Sequence, residues 1–130
     1  MTAFRIGEAA ELLGVSADTV RRWIDGGRMA AERDVHGHRL ISGEELARFA
    51  RSAAAEPSAE VGMPTSARNR LRGIVTSVIK DTVMAQVDIQ AGPYRVVSLM
   101  SREAVDELDL KVGTLAVAVI KSTNVVVEKR

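Results

Sequence analysis

The chain changes its hydrophobic rhythm part-way along. In the N-terminal part, apolar residues recur at helical spacing; in the C-terminal part, short valine-rich runs alternate with a period of two. Ile6, Ala9, Ala10, Leu12 and Leu13 form one face of a short helix that Gly14 ends, and Val15 follows before Ser16 opens a second helix. Ser16 is a cap for that helix, with Val20, Trp23 and Ile24 facing a core and Gly26 and Gly27 stopping it. A lone tryptophan at this spacing reads as core rather than as a stacking platform. Arg28 to Ile41, with Gly37 inside HGHR, predicts a hairpin, and Ser42 caps a third helix that carries Leu46 and Phe49, with Glu45 three residues after the cap. Helix, tight turn, helix and hairpin make a small winged helix-turn-helix.

The second half predicts five strands, at Leu71 to Ile79, Val83 to Ala91, Tyr94 to Met100, Leu115 to Ile120 and Thr123 to Val127. Between the third and fourth, Ser101 to Leu110 places Ala104, Val105 and Leu108 on one helical face, and Gly113 ends a turn. Three strands, a short helix and two strands is the order of a five-stranded, partly open barrel of oligonucleotide/oligosaccharide-binding type. Between the halves, Arg51 to Thr65 is small and polar with two prolines and no apolar period. The chain is therefore read as α+β with two domains, 1–52 and 64–130, joined by a linker at 53–63. A barrel of about 65 residues has a marginal core, so a partner subunit is expected to complete it.

Composition narrows the function classes. The 130 residues are 46% apolar and 27% charged, which suits globular domains. The longest apolar run, Leu115 to Ile120, is far too short to span a bilayer, and Glu8 and Glu11 stand where a signal peptide would be apolar, so a soluble cytoplasmic protein is expected. The absence of cysteine removes disulfides, thiolate metal sites and thiol nucleophiles. His36 and His38 flank a turn without a third ligand, so no bare metal cation is expected. No acidic pair or Ser-His-Asp set can be placed at one site, and the chain is not read as an enzyme.

Net charge is only +1, so any electrostatic argument must be local. Residues 1–55 hold eight basic and eight acidic side chains, but Glu8, Glu11, Glu44 and Glu45 fall in the first and third helices. Arg21, Arg22, Arg28 and Arg39, with His36 and His38, are left on the second helix and the hairpin, the parts that such a fold presents to duplex DNA. The segment RIGEAAELLGVSADTVRRW, then GGR, GHRLIS and the closing EEL, resembles the winged helix-turn-helix of the mercury-resistance-regulator and excisionase family over residues 4–50. That resemblance implies that Ser16, Thr19, Arg21 and Arg22 contact double-stranded DNA from the recognition helix and that Arg39 contacts phosphate from the wing.

In the second half, Ser66-Ala67-Arg68-Asn69 opens the barrel and Lys121-Ser122-Thr123-Asn124 precedes its last strand. Each segment is cationic and rich in donors, without a carboxylate. Together they supply what a tetrahedral dianion needs, whether they meet within a subunit or across a dimer seam. SARNRLRGIVTSVI, the alternating VMAQVDI, SREAVDELDLKVG and VIKSTNV resemble the molybdate-binding Mop domain, or TOBE family, over residues 64–128. The resemblance implies that molybdate, or tungstate, is bound between subunits by Ser66, Arg68, Lys121 and Ser122, with Ala67 and Asn69 acting through backbone or support. It also implies a homo-oligomer, dimer or hexamer. The expected function is a transcriptional regulator that senses molybdate and controls molybdate uptake or molybdenum-related genes. An intracellular molybdate buffer or carrier, and an architectural DNA-binding protein whose barrel only oligomerises, are the alternatives.

Overall fold

A computed structural model describes residues 2–53 and 65–130. The chain divides into two compact units, within residues 1–58 and 59–130. The expected linker, from residue 54 to 63, lies outside the described residues; Ala53 is the last residue of a helix.

The first unit opens with a short strand, β1 (Ala3–Arg5), followed by α1 (Ile6–Leu13) and α2 (Ala17–Asp25). Gly14 takes a left-handed conformation (φ 70°), and its N–H, with that of Val15, closes the end of α1 on the carbonyls of Ala10 and Glu11. The Ser16 hydroxyl then accepts the Thr19 N–H at 3.1 Å and caps α2. β2 (Glu32–Arg33) and β3 (Arg39–Ser42) form the hairpin, and α3 (Gly43–Ala53) follows with the Ser42 hydroxyl accepting the Glu45 N–H. β1 pairs antiparallel with β3, giving a three-stranded sheet in the order β1-β3-β2. β1 is not among the expected elements, because three residues are too few to show an alternation. The buried set is Ala9, Ala10, Val20, Met29, Ile41, Leu46 and Phe49. Trp23 packs against it with its ring 4.6 Å from that of Phe49, the core role its spacing indicated.

The second unit is an antiparallel sheet of β4 (Asn69–Lys80), β5 (Met84–Ala91), β6 (Tyr94–Ser101) and β7 (Leu115–Ile120), with α4 (Arg102–Leu108) between β6 and β7. The order is β6-β5-β4-β7. β4 pairs with β7 through Asn69–Ile74 and with β5 through Ile74–Lys80, with a bulge between Val75 and Ser77. Gly73 lies just before that bulge, where β4 passes so close to β5 that a Cβ would stand 2.8 Å from Ile89 Cγ2 and nearer still to the Gln90 carbonyl oxygen. The inward residues Val75, Ala85, Val87, Ile89 and Val105 form the core.

The fifth strand expected at Thr123 to Val127 does not form. Ser122–Asn124 form a single 3-10 turn, and residues 125–130 pair with no strand among the described residues. The sheet has four strands and does not close. The physical reason is that the turn directs the tail off the end of β7: Val126 and Val127 are 88% and 86% exposed. Between β6 and β7 lies an apolar cleft of about 690 Å³, lined by residues that include Val87, Val96, Met100, Leu110, Ala116 and Ala118.

Candidate functional site

Two groups of residues can act on ligands, one in each unit. In the first, the turn that Gly14 makes sets α2 off from α1, and α2 presents Arg21 and Arg22 to solvent. Ser16 and Thr19 share a hydroxyl–hydroxyl hydrogen bond of 2.8 Å at the start of α2, so both are already engaged in the cap. Arg21 pairs with Asp18 at 2.6 Å and Arg22 reaches the Thr19 hydroxyl at 3.3 Å. Arg39 is half-buried and donates from Nη1 to Asp25 Oδ1 at 2.8 Å.

The hairpin is stiffened by its own side chains. Asp34 Oδ1 accepts the backbone N–H groups of His36 and His38, both at 2.9 Å, and Arg33 Nη1 donates to the Gly37 carbonyl. Desolvation raises the Asp34 pKa, but the two backbone donors and the neighbouring His38 and Arg5 side chains outweigh it and leave the carboxyl below its ordinary value. Gly37 has φ 81°, so the turn requires glycine there. Val35 at its tip is 96% exposed, while His36, His38 and Arg28 are also exposed. The described residues contain no group of three His, Cys, Asp or Glu side chains placed to hold a metal ion.

In the second unit, antiparallel pairing puts the start of β4 beside the end of β7. Asn69 is in register with Ile120, and its Nδ2 donates to the Ile120 carbonyl at 3.1 Å. Ser66-Ala67-Arg68 and Lys121-Ser122 therefore emerge from the same end of the sheet within one chain. Ser66, Arg68, Lys121 and Ser122 are exposed, and Ala67 and Asn69 are half-buried. Arg68 Nη1 reaches the Thr65 carbonyl at 3.3 Å, a neutral partner, and is in no ion pair among the described residues; the Ala67 N–H donates to the Thr65 hydroxyl. Lys121 begins the 3-10 turn, its carbonyl accepting the Asn124 N–H, so the turn presents the Ser122, Thr123 and Asn124 side chains beside a lysine. Asn69 thus ties the two segments together through one of its two Nδ2 hydrogens.

Asp81 and Asp88 carry structure that their composition alone did not reveal. Asp81 Oδ1 accepts the Met84 and Val83 N–H groups at 2.7 and 2.8 Å, which closes the β4–β5 turn and lowers its pKa. Asp88 is buried in the sheet, and Arg95 and then Gln86 hold its carboxylate below the ordinary range. The signal for the first was an acidic residue two positions before a strand, the usual sign of an Asx turn.

Comparison with known proteins follows the same division. The TOBE domain model matches residues 65–127 and the helix-turn-helix domain model residues 3–54. Molybdenum-pterin-binding protein 3 of Clostridium pasteurianum is 44% identical over 66 residues, 50% of this chain and 97% of that protein. The chain belongs to the TOBE domain family. The chain is also 37% identical over 67 residues to the molybdenum transport protein ModE of Herbaspirillum seropedicae, which is 51% of this chain and 25% of ModE. Among solved structures, a molybdate-binding protein from Sporomusa ovata superposes with a TM-score of 0.50 at 33% identity, covering 52% of this chain and all of that one.

Proposed function

We propose that the protein is a DNA-binding transcriptional regulator that senses molybdate, or tungstate, through its TOBE domain and controls molybdate uptake or molybdenum-related genes. The observation that carries this reading is the joining, on one chain, of a helix-turn-helix domain to a TOBE domain whose β4–β7 register sets Asn69 opposite Ile120, so that Ser66, Ala67 and Arg68 leave the sheet at the same end as Lys121 and Ser122. Relatives of that second domain are named for molybdenum or molybdate, and ModE is among them. Arg68 and Lys121 offer two positive charges, and Ser66 and Ser122 offer hydroxyl donors, to a tetrahedral dianion. In the first domain Arg21 and Arg22 face bases and Arg39 on the wing faces phosphate, with Ser16 and Thr19 setting the start of the recognition helix.

The working form is a homo-oligomer, dimer or hexamer, with anion sites at subunit interfaces. Supporting this is the open cleft between β6 and β7, which the exposed Val125–Val127 of a second copy would fill. An anion bridging two chains favours the subunit arrangement that holds it, and so couples to the spacing of two recognition helices on DNA. Calorimetric titration of the full-length protein with molybdate, repeated in excess sulfate, tests the reading. Sub-micromolar binding near one anion per chain that survives sulfate is expected, together with a molybdate-dependent change in DNA affinity. No heat with molybdate would remove the sensor role.

A further inference from the structure

Among the described residues, the first unit's other ion pairs are local: Arg21–Asp18, His38–Asp34 and Arg48–Glu45 each lie within one turn of chain. Arg39–Asp25 differs. It spans 14 residues and joins the last residue of α2 to the first residue of β3, at 2.8 Å. Asp25 is also in an unfavourable place by itself, since a carboxylate in the last turn of a helix meets the negative end of the helix dipole. Its partner explains it. The Arg39 side chain is 27% exposed and that of Asp25 64%, so the pair lies at the surface with the arginine stem packed below.

We propose that Asp25 is a positioning residue for DNA binding: it fixes the Arg39 guanidinium, and with it the angle of the hairpin to α2, before the duplex arrives. This rests on the reading of Arg39 as a phosphate contact. A guanidinium has five N–H donors in a planar fork, and the hydrogen bond from Nη1 to Asp25 leaves the others for a phosphate. Holding a long side chain in its bound geometry removes an ordering cost that binding would otherwise meet. The hairpin is rigid enough to be aimed this way, because Asp34 and Arg33 close its turn from within.

Electrostatics gives the test its direction. Deleting a carboxylate near a polyanion, with nothing else changed, tightens binding, so a loss of affinity on removing Asp25 comes from lost positioning. The full-length protein and its Asp25→Asn, Asp25→Ala, Arg39→Ala and Asp25→Ala/Arg39→Ala variants are titrated into a fluorescein-labelled 30-base-pair duplex of mixed sequence, across a salt series. Both Asp25 variants are expected to bind about fivefold more weakly than wild type, and their salt slopes to fall towards that of Arg39→Ala, about 0.9 per lost phosphate contact. The double variant is expected to be no weaker than Arg39→Ala alone. Asp25→Asn keeps the side-chain size and carries the test if Asp25→Ala melts early. Equal or tighter binding by Asp25→Asn overturns the proposal, as does an undiminished effect of Asp25→Ala in the Arg39→Ala background. Failure of the wild type itself to bind the duplex overturns the DNA-binding reading instead.

Discussion

Arg68 and Lys121 are in no ion pair among the described residues. Arg68 meets the Thr65 carbonyl, and the Lys121 side chain has no acidic partner among the described residues, whereas Arg95, Lys80 and Arg39 are paired with Asp88, Asp106 and Asp25. Exposure makes both positions separable from folding, because a surface substitution away from caps and networks changes stability by no more than about 0.5 kcal/mol. Arg68→Ala and Lys121→Ala are each expected to lower molybdate affinity more than tenfold with the thermal midpoint unchanged, since a hydrogen bond to a charged group is worth about 1.5 to 3 kcal/mol. Isothermal calorimetry and a melting curve on the same samples check both halves of the statement. Ser16 shows how far a single residue could be read from sequence. Its capping role follows from its place after Gly14-Val15, but its hydrogen bond with Thr19 depends on side-chain rotamers that no spacing encodes. Asn69 is similar: its residue type suggests a donor, and only the pairing with β7 shows that the donor is used on Ile120.

β4 shows why elements were easier to read than their couplings. Its run of apolar and polar residues predicts a strand, yet it is a shared element that gives its first half to β7 and its second to β5. The change of partner is made by the bulge between Val75 and Ser77, after Gly73 has let the backbone of β4 come down on Gln90. A bulge moves one residue out of register without altering composition, so the alternation on either side hides it. Helices α1 to α3 and the β2–β3 hairpin were legible because caps and glycines punctuate them; β1 was not, because its pairing with β3 is long-range and three residues long. Gly73→Ala forces a methyl group into the Gln90 backbone, where no side-chain rotation relieves it, and overpacking of this kind typically costs about 1 to 3 kcal/mol. Differential scanning calorimetry is expected to show the second unit's transition lowered by several degrees, by the usual scaling for a domain of this size. The first unit, with a separate core, should melt as before.

At the scale of the whole molecule, the two units are unequal in how well they cover their apolar surface. The first surrounds Val20, Met29, Ile41 and Phe49 on several sides, while the second leaves Leu99, Leu115, Val119, Val126 and Val127 exposed and an apolar cleft open between β6 and β7. Apolar surface in water costs about 25 cal/mol per Å² against burial, and contiguous exposed patches mark interaction surfaces. The valine run of Thr123 to Val127 reads as a strand in the sequence, but Ser122–Asn124 turn as a 3-10 helix and, among the described residues, no strand lies beside Val125–Val127. A sequence states what a segment is able to pair with, but which chain supplies the partner depends on assembly. A chain ending at Asn124 keeps Lys121, Ser122 and the Asn69–Ile120 bond while losing the valines, so it separates assembly from the anion donors. Sedimentation velocity is expected to show the full-length protein as an oligomer and the shortened one as a smaller species. If the anion site is built across subunits, calorimetry on the shortened chain loses molybdate binding together with assembly. If the shortened chain keeps the full oligomeric mass, the valine tail is not what closes the cleft.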